Sequence, residues 1–339
     1  SFRQMLSLWS AHQRGENAPH GSGPWWKVFD LLLELRPWAP QDRLGDTART
    51  VIEDRLAFRP DDDPISIEFE IWPTASAAKR ASWRGELEQR VAALNGSIVD
   101  RSSISEDGFV YEALLAEVPC LAVREMLDDP AAVDGLATLE GVQFILPQTI
   151  GQAIPDGPNA AGDDRTVEGA FDPNAPIRAA LLDGTPVAAH RCLDGGVVIE
   201  DMHDLVRLSP VAQRYHATAM ASLIMRGDLE ADGAPLTDTR LISVPVLIDE
   251  VDGAETARDR LLVDVVHTTL MRLIRTGEPA APEVFVVNFS IGVRDSRFSG
   301  RVSALARLMD WWAAKEGLLF VISAGNVGHL VLPGRTTTD

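Results

Sequence analysis

The chain has 339 residues, of which 45% are hydrophobic and 6% aromatic, so it is long enough for two compact domains and too apolar to be disordered throughout. Fifty acidic residues against 31 basic ones give a formal net charge of −19. Such a charge repels nucleic acid phosphates and anionic membrane surfaces, so we expect neither as a partner.

The first segment, residues 1–60, is predicted to be helical and irregular. Its one amphipathic stretch covers residues 25–33 and is interrupted at Pro37. The N-terminus lacks the pattern of a secretion signal, and no run approaches the ~20 apolar residues of a membrane span. The two cysteines, Cys120 and Cys192, fall in different predicted domains, so no disulfide framework is indicated. We therefore expect a cytoplasmic protein.

Residues 64–150 are predicted to form an α+β domain with the element order β-α-β-β-α-β. Apolar and polar residues alternate over 65–71 with the period of a strand that has one buried face. The pattern then predicts a helix over 75–94, strands over 97–104 and 109–117, a helix over 121–127 and a strand over 142–146. This order is typical of the ferredoxin-like arrangement, with both helices on one face of an antiparallel sheet. The fold alone does not identify a function.

A linker is predicted over residues 151–176, which are rich in Gly, Pro, Asp and Asn. From residue 177 to 339 apolar strands alternate with helices, which indicates an α/β domain with a mostly parallel sheet covered on both faces. The predicted strands are 177–182, 241–247, 284–289 and 318–323, and the predicted helices are 216–225, 254–274 and 301–315.

Polar residues stand at the end of three of these strands and at the start of one helix, where α/β proteins collect their functional groups. They are Asp183, His216, Ser290 with Ile291 and Gly292, and the run Ser323, Ala324, Gly325 and Asn326. Taken alone, Asp183 is more typical of a turn cap, His216 fits a buried core histidine equally well, and Gly-Asn is a common turn.

Taken in order, these motifs resemble those of the subtilisin-like serine peptidases. The interval of 33 residues from Asp183 to His216 is close to the family's value of about 32. The interval of 110 residues from His216 to Asn326 exceeds the family's value of about 91, so the resemblance requires an insertion after His216.

The resemblance implies a serine endopeptidase acting on polypeptides. Asp183 would hold the imidazole, His216 would act as general base and then general acid, and Asn326 would stabilise the oxyanion. Ser290, Ile291, Gly292, Ser323, Ala324 and Gly325 would line the substrate cleft. The domain at 64–150 would be the inhibitory prodomain. The acidic character, the separate helical N-terminal segment and the prodomain-like domain without a secretion signal also resemble bacterial subtilases that work beside ATPase partners in phage defence.

The sequence departs from the family at the nucleophile. The family's His-to-Ser interval of about 157 residues places the serine near position 373, beyond Asp339, so the chain as given is expected to be inactive. Ala217 replaces the Gly that usually follows the histidine, and Pro186 is a milder difference. These departures leave a second hypothesis open, a pseudoprotease that binds peptides without cleaving them; a small-ligand regulatory protein is a third.

Other chemistries have weaker support. His190, Cys192 and Asp194 lack the second ligand pair that a zinc site requires, so they predict a loop. His203 and Asp204 lack the small-residue helix that follows His216. No phosphate-binding glycine motif is found. The sequence thus indicates no cofactor and no metal site, although it leaves calcium open.

Overall fold

A computed structural model of the chain describes residues 2–153, 169–228, 237–293 and 301–323. Within these residues the protein is a mixed α/β structure with three β-sheets, one of them parallel. The helices are α1 (Phe2–Gln13), α2 (Gly23–Phe29), α3 (Asp46–Leu56), α4 (Ala77–Ala93), α5 (Cys120–Asp128), α6 (Tyr215–Arg226), α7 (Leu262–Leu270) and α8 (Ala304–Glu316). The strands are β1 (Pro64–Ile71), β2 (Ser97–Glu106), β3 (Phe109–Pro119), β4 (Val142–Pro147), β5 (Gly151–Ala153), β6 (Ile177–Asp183), β7 (Val197–Ile199), β8 (Arg240–Pro245), β9 (Ile248–Glu250), β10 (Gly253–Glu255), β11 (Val286–Phe289), β12 (Gly292–Val293) and β13 (Leu319–Ile322).

The first sheet is antiparallel, in the order β2-β3-β1-β4, and α4 and α5 occur in the chain at the predicted places. Because side chains alternate along a strand, one face of β3 directs Leu114 and Ala116 into a core shared with α4 and α5. Its other face directs Tyr111, Ala113 and Leu115 into a second core, which is shared with α7 and α8. Both faces of this sheet are therefore covered.

The parallel sheet has the order β13-β11-β6-β8-β7, with β6 at its centre. Leu181 of β6 packs in a cluster with Ala221 and Met225 of α6. Its neighbours Ala180 and Leu182 belong to the cluster that contains α7 and α8. The central strand of this sheet is thus covered on both faces, which confirms the α/β prediction for this part of the chain.

A third, small antiparallel sheet has the order β12-β5-β10-β9 and was not predicted. Two expectations are wrong here in detail: the helix predicted from 254 begins at Leu262, and the predicted linker from 151 begins with a strand. The residues of β5 and β10 are more than 90 positions apart in sequence, and each strand forms because it pairs with distant residues. Local patterns do not contain that information.

Polar contacts join the first sheet to the helices of the parallel-sheet unit. Ser102 Oγ donates to Asp264 Oδ1 at 2.7 Å, and Trp311 Nε1 donates to the main-chain oxygen of Asp107 at 2.8 Å. Buried Glu70 of β1 contacts Arg307 of α8. Cys120 and Cys192 are buried free thiols. No helix in the described ranges has the length and apolar character needed to cross a bilayer.

Candidate active site

Asp183 ends β6, the central strand of the parallel sheet, and its side chain is fully buried. The main-chain NH of Gly184 donates to Asp183 Oδ1 at 2.7 Å. The main-chain oxygen of Asp183 accepts from Val246 at 2.8 Å and from Leu247 at 3.2 Å. The carboxylate therefore lies at the carboxyl end of an apolar strand, and main-chain NH groups hold both it and the main-chain oxygen of the same residue.

His216 lies in the first turn of α6, beside this carboxylate. Its Nδ1 is 2.9 Å from Asp183 Oδ2 and 3.1 Å from Oδ1. Ala221, five residues further on, is fully buried in a cluster with Leu181 of β6, and such a small residue lets the helix approach the sheet closely. A carboxylate at this distance favours the tautomer with the proton on Nδ1, which leaves Nε2 as the basic nitrogen.

Thr218 ties the start of α6 to the loop that follows Asp183. Its Oγ1 accepts a hydrogen bond from the main-chain NH of Val187 at 2.9 Å and donates to the main-chain oxygen of Arg214 at 2.5 Å. The loop and the helix turn are thus held together by one side chain. This fixes the imidazole relative to the carboxylate.

A second buried carboxyl group, Asp249, lies beside Asp183 and was missed from the sequence. Its Oδ2 accepts from the main-chain NH of Thr185 at 2.7 Å, and its own NH donates to Ser209 Oγ at 3.0 Å. Burial raises the pKa of Asp249, and the charge of Asp183 raises it further, while hydrogen bonds from Thr185 and Ser209 and the charge of Arg214 oppose the rise. Asp249 lies within β9, and in the sequence it comes directly after the apolar run 244–248, which is the kind of signal that singled out Asp183.

The predicted cleft residues lie in two places. Ser290 follows β11, the neighbour of β6, and its Oγ donates to Asn288 Oδ1 at 2.5 Å. Ile291 is buried, and Gly292 begins β12. Ser323 follows β13, and its NH donates to the main-chain oxygen of Phe289 at 3.2 Å. The other two predicted cleft residues, Ala324 and Gly325, and the predicted oxyanion residue Asn326 lie outside the described residues.

Strand β5 lies between two other strands, β12 and β10, which form the walls of a slot. Each wall comes after a strand that pairs with β6, the strand that ends in Asp183. One wall is β12, which follows β11, and the other is β10, which follows β8 through β9. Gln152 pairs with Gly292 on one side and with Glu255 on the other, both antiparallel. A segment in extended conformation is therefore bound as the central strand between two walls.

The two residues that depart from the subtilisin-like motifs, Ala217 and Pro186, are both buried. The side chain of Ala217 is fully buried, so its methyl group packs inside the protein, and Pro186 is buried too. The rival histidine His203 contacts Thr269 Oγ1 at 2.8 Å through Nε2, and burial lowers its pKa. His190 Nδ1 accepts from the main-chain NH of Cys192 at 3.3 Å, a contact within a loop.

In the part of the chain that the structure describes, no group of three or more His, Cys, Asp or Glu side chains is arranged to hold a metal ion. No protein-family model matches the chain, and no curated protein shows significant similarity to it.

Proposed function

We propose that the chain is the front part of a subtilisin-like serine endopeptidase. The observation that carries the proposal is the contact between Asp183 and the His216 Nδ1 at the rim of a parallel sheet. In this proposal Asp183 orients the imidazole, and Nε2 of His216 takes the proton of a serine hydroxyl as that serine attacks the peptide carbonyl. The protonated imidazole then donates to the leaving amine, and water releases the acyl group.

The nucleophilic serine would be supplied by chain beyond Asp339. The edge strand β13 supports this idea, because Leu319, Val321 and Ile322 expose 59%, 48% and 52% of their surface. Strands of a parallel sheet are normally covered, so an edge with three half-exposed apolar side chains is suited to further packing. Asn326 would donate to the oxyanion, with Ser323, Ala324 and Gly325 beside it.

Substrate would bind as β5 does, in extended conformation between β10 and β12. Since β5 is already there, the chain would inhibit its own cleft. The domain at 64–150 would then be a ferredoxin-like prodomain, with its sheet against α7 and α8 and its tail in the slot. We also propose that this protease is regulated and acts in phage defence together with an ATPase partner.

Hydrolysis of an unstructured polypeptide tests the proposal directly. The natural chain extended past Asp339 is expected to cleave it, and His216→Ala is expected to abolish cleavage. Asp183→Asn is expected to lower kcat by on the order of 10⁴-fold, because the imidazole then loses the carboxylate that selects its tautomer. His190→Ala, a change in an exposed loop, is the matched control and should leave the rate unchanged. An extended chain that binds peptide and does not cleave it would support the pseudoprotease instead.

A further inference from the structure

The inward-facing positions of β5 leave little room for side chains. A Cβ atom built on Gly151 would lie 2.8 Å from Ile291 Cγ2 and 2.9 Å from Thr256 Oγ1. Both atoms belong to residues buried beside the slot, so any larger side chain at this position requires buried neighbours to shift, and glycine fits best. Ala153, two positions on and therefore on the same face, is 2% exposed and packs in the main core. A small side chain fits there.

The position between them faces an acid. Gln152 and Glu255 are direct partners across the β5–β10 pair, so their side chains lie on the same face. The Gln152 amide donates a hydrogen bond to Glu255 Oε1. Arg258 Nη2 lies 3.3 Å from the other oxygen, Oε2, and its side chain is largely exposed. Glu255 is thus the acceptor that a side chain at this position meets.

From these contacts we infer that Glu255 is a specificity-determining residue, and that the slot selects extended segments reading glycine, then a long hydrogen-bond donor, then alanine. Gln, Lys and Arg side chains at the middle position can donate to the Glu255 carboxylate, whereas Glu and Asp are repelled by it. That a substrate uses this slot rests on the proposed function. The preference of the slot for its own β5 segment is independent of the proposed function.

The chain itself supplies a test that needs no catalysis. Amide hydrogen exchange of residues 151–153 reports how firmly β5 is held. Gln152→Glu is expected to speed this exchange by about tenfold, because a hydrogen bond to a charged acceptor is replaced by repulsion. Gln152→Lys should stay within about twofold of the wild type, since it keeps a donor at the same place. Gln89→Glu, the same charge change on an exposed face of α4, is the matched control and should have no effect.

A second substitution distinguishes charge repulsion from a non-specific loss of structure in Gln152→Glu. Glu255→Gln in the Gln152→Glu background should return the exchange to within about threefold of the wild type, because it removes the repulsion. If Gln152→Glu exchanges as slowly as Gln152→Lys, or if Glu255→Gln gives no rescue, Glu255 does not select the occupant and the inference is overturned.

Peptide hydrolysis by the extended chain then extends the test to substrates. Peptides containing Gly-Lys-Ala are expected to have a kcat/KM about tenfold above that of Gly-Glu-Ala peptides, and Glu255→Gln should remove the difference. Cleavage without this preference overturns the substrate inference and leaves the proposed function standing. Failure to cleave any peptide, with the exchange results as expected, overturns the proposed function and leaves the selectivity of the slot for β5 in place.

Discussion

Replacing Gly184 by alanine should disturb the candidate active site through a single steric clash. An alanine Cβ at this position would lie 2.2 Å from Asp249 Oδ1 and 2.8 Å from its Cγ. Asp249 is 1% exposed and held by Thr185, so it has no open space to move into. Overpacking of this kind costs about 1–3 kcal/mol in the free energy of unfolding. Because the NH of Gly184 donates to Asp183, the turn that shifts is the one that orients the carboxylate.

Urea unfolding and the ¹H resonance of the proton on His216 Nδ1 measure the two effects. Gly184→Ala is expected to lower the free energy of unfolding by ~1–3 kcal/mol and to shift or broaden this resonance. Gly85→Ala on α4 is the matched control: nothing lies within 4 Å of its Cβ position, so it should gain about 0.5–1 kcal/mol. In an Asp249→Ala background the clash is gone, and Gly184→Ala should cost at least ~1 kcal/mol less. Equal costs in both backgrounds would refute the steric reasoning.

Three further predictions concern ionisable groups that are buried or half-buried. Because burial raises the pKa of Asp249, the folded protein holds its proton more tightly than the unfolded chain does, and this contribution to stability is lost as pH rises above its usual value of 3.8. The free energy of unfolding of Asp249→Asn relative to the wild type should therefore increase from pH 4 to pH 7 in urea titrations, and a flat difference would contradict the assignment. Burial lowers the pKa of His267, so its contribution to stability is present above pH 6.5 and is lost as pH falls below it. His267→Gln should flatten the decline of Tm between pH 7 and pH 5, and an unchanged slope would count against it. Glu70→Gln should cost about 1–3 kcal/mol, because the buried carboxylate bonds Arg307, whereas Asp204→Asn in an exposed pair with Arg207 should cost about 0–1 kcal/mol by the same urea assay. Similar costs for the two variants would show that the Glu70 contact contributes little.

Elements with strong local patterns could be predicted from the sequence. The alternation over residues 65–71 predicted the strand β1, but the prediction of a single buried face was wrong, because Glu68 and Glu70 on the polar face are buried as well. The helical pattern over residues 75–94 predicted α4, which ends at Ala93. At the end of this helix Asn95 has a φ of 59°, and the NH of Gly96 donates a hydrogen bond to the main-chain oxygen of Val91 at 2.9 Å. Four of the five strands of the parallel sheet were predictable for the same reason, since they are short apolar runs separated by helices, whereas the short edge strand β7 was not predicted.

Elements that depend on distant pairing could not be predicted. Nothing in Gly253, Ala254 and Glu255 distinguishes a strand from a helix until β5 lies beside them. Asp183 and His216 came from strand-end and helix-start signals together with a family resemblance. Asp249 was missed although it has the same strand-end signal, because its importance comes from the turn that it touches in space. Glu255 was missed because its partner Gln152 fell within a predicted linker.

The most direct test of the central claim is labelling with an alkylfluorophosphonate, which reacts with a serine activated by a neighbouring base. The natural chain extended past Asp339 is expected to be labelled on one serine, located by mass spectrometry of the digested protein. His216→Ala should remove that label, and His190→Ala should leave it in place. Absence of any label, or a label that persists in His216→Ala, would contradict the account.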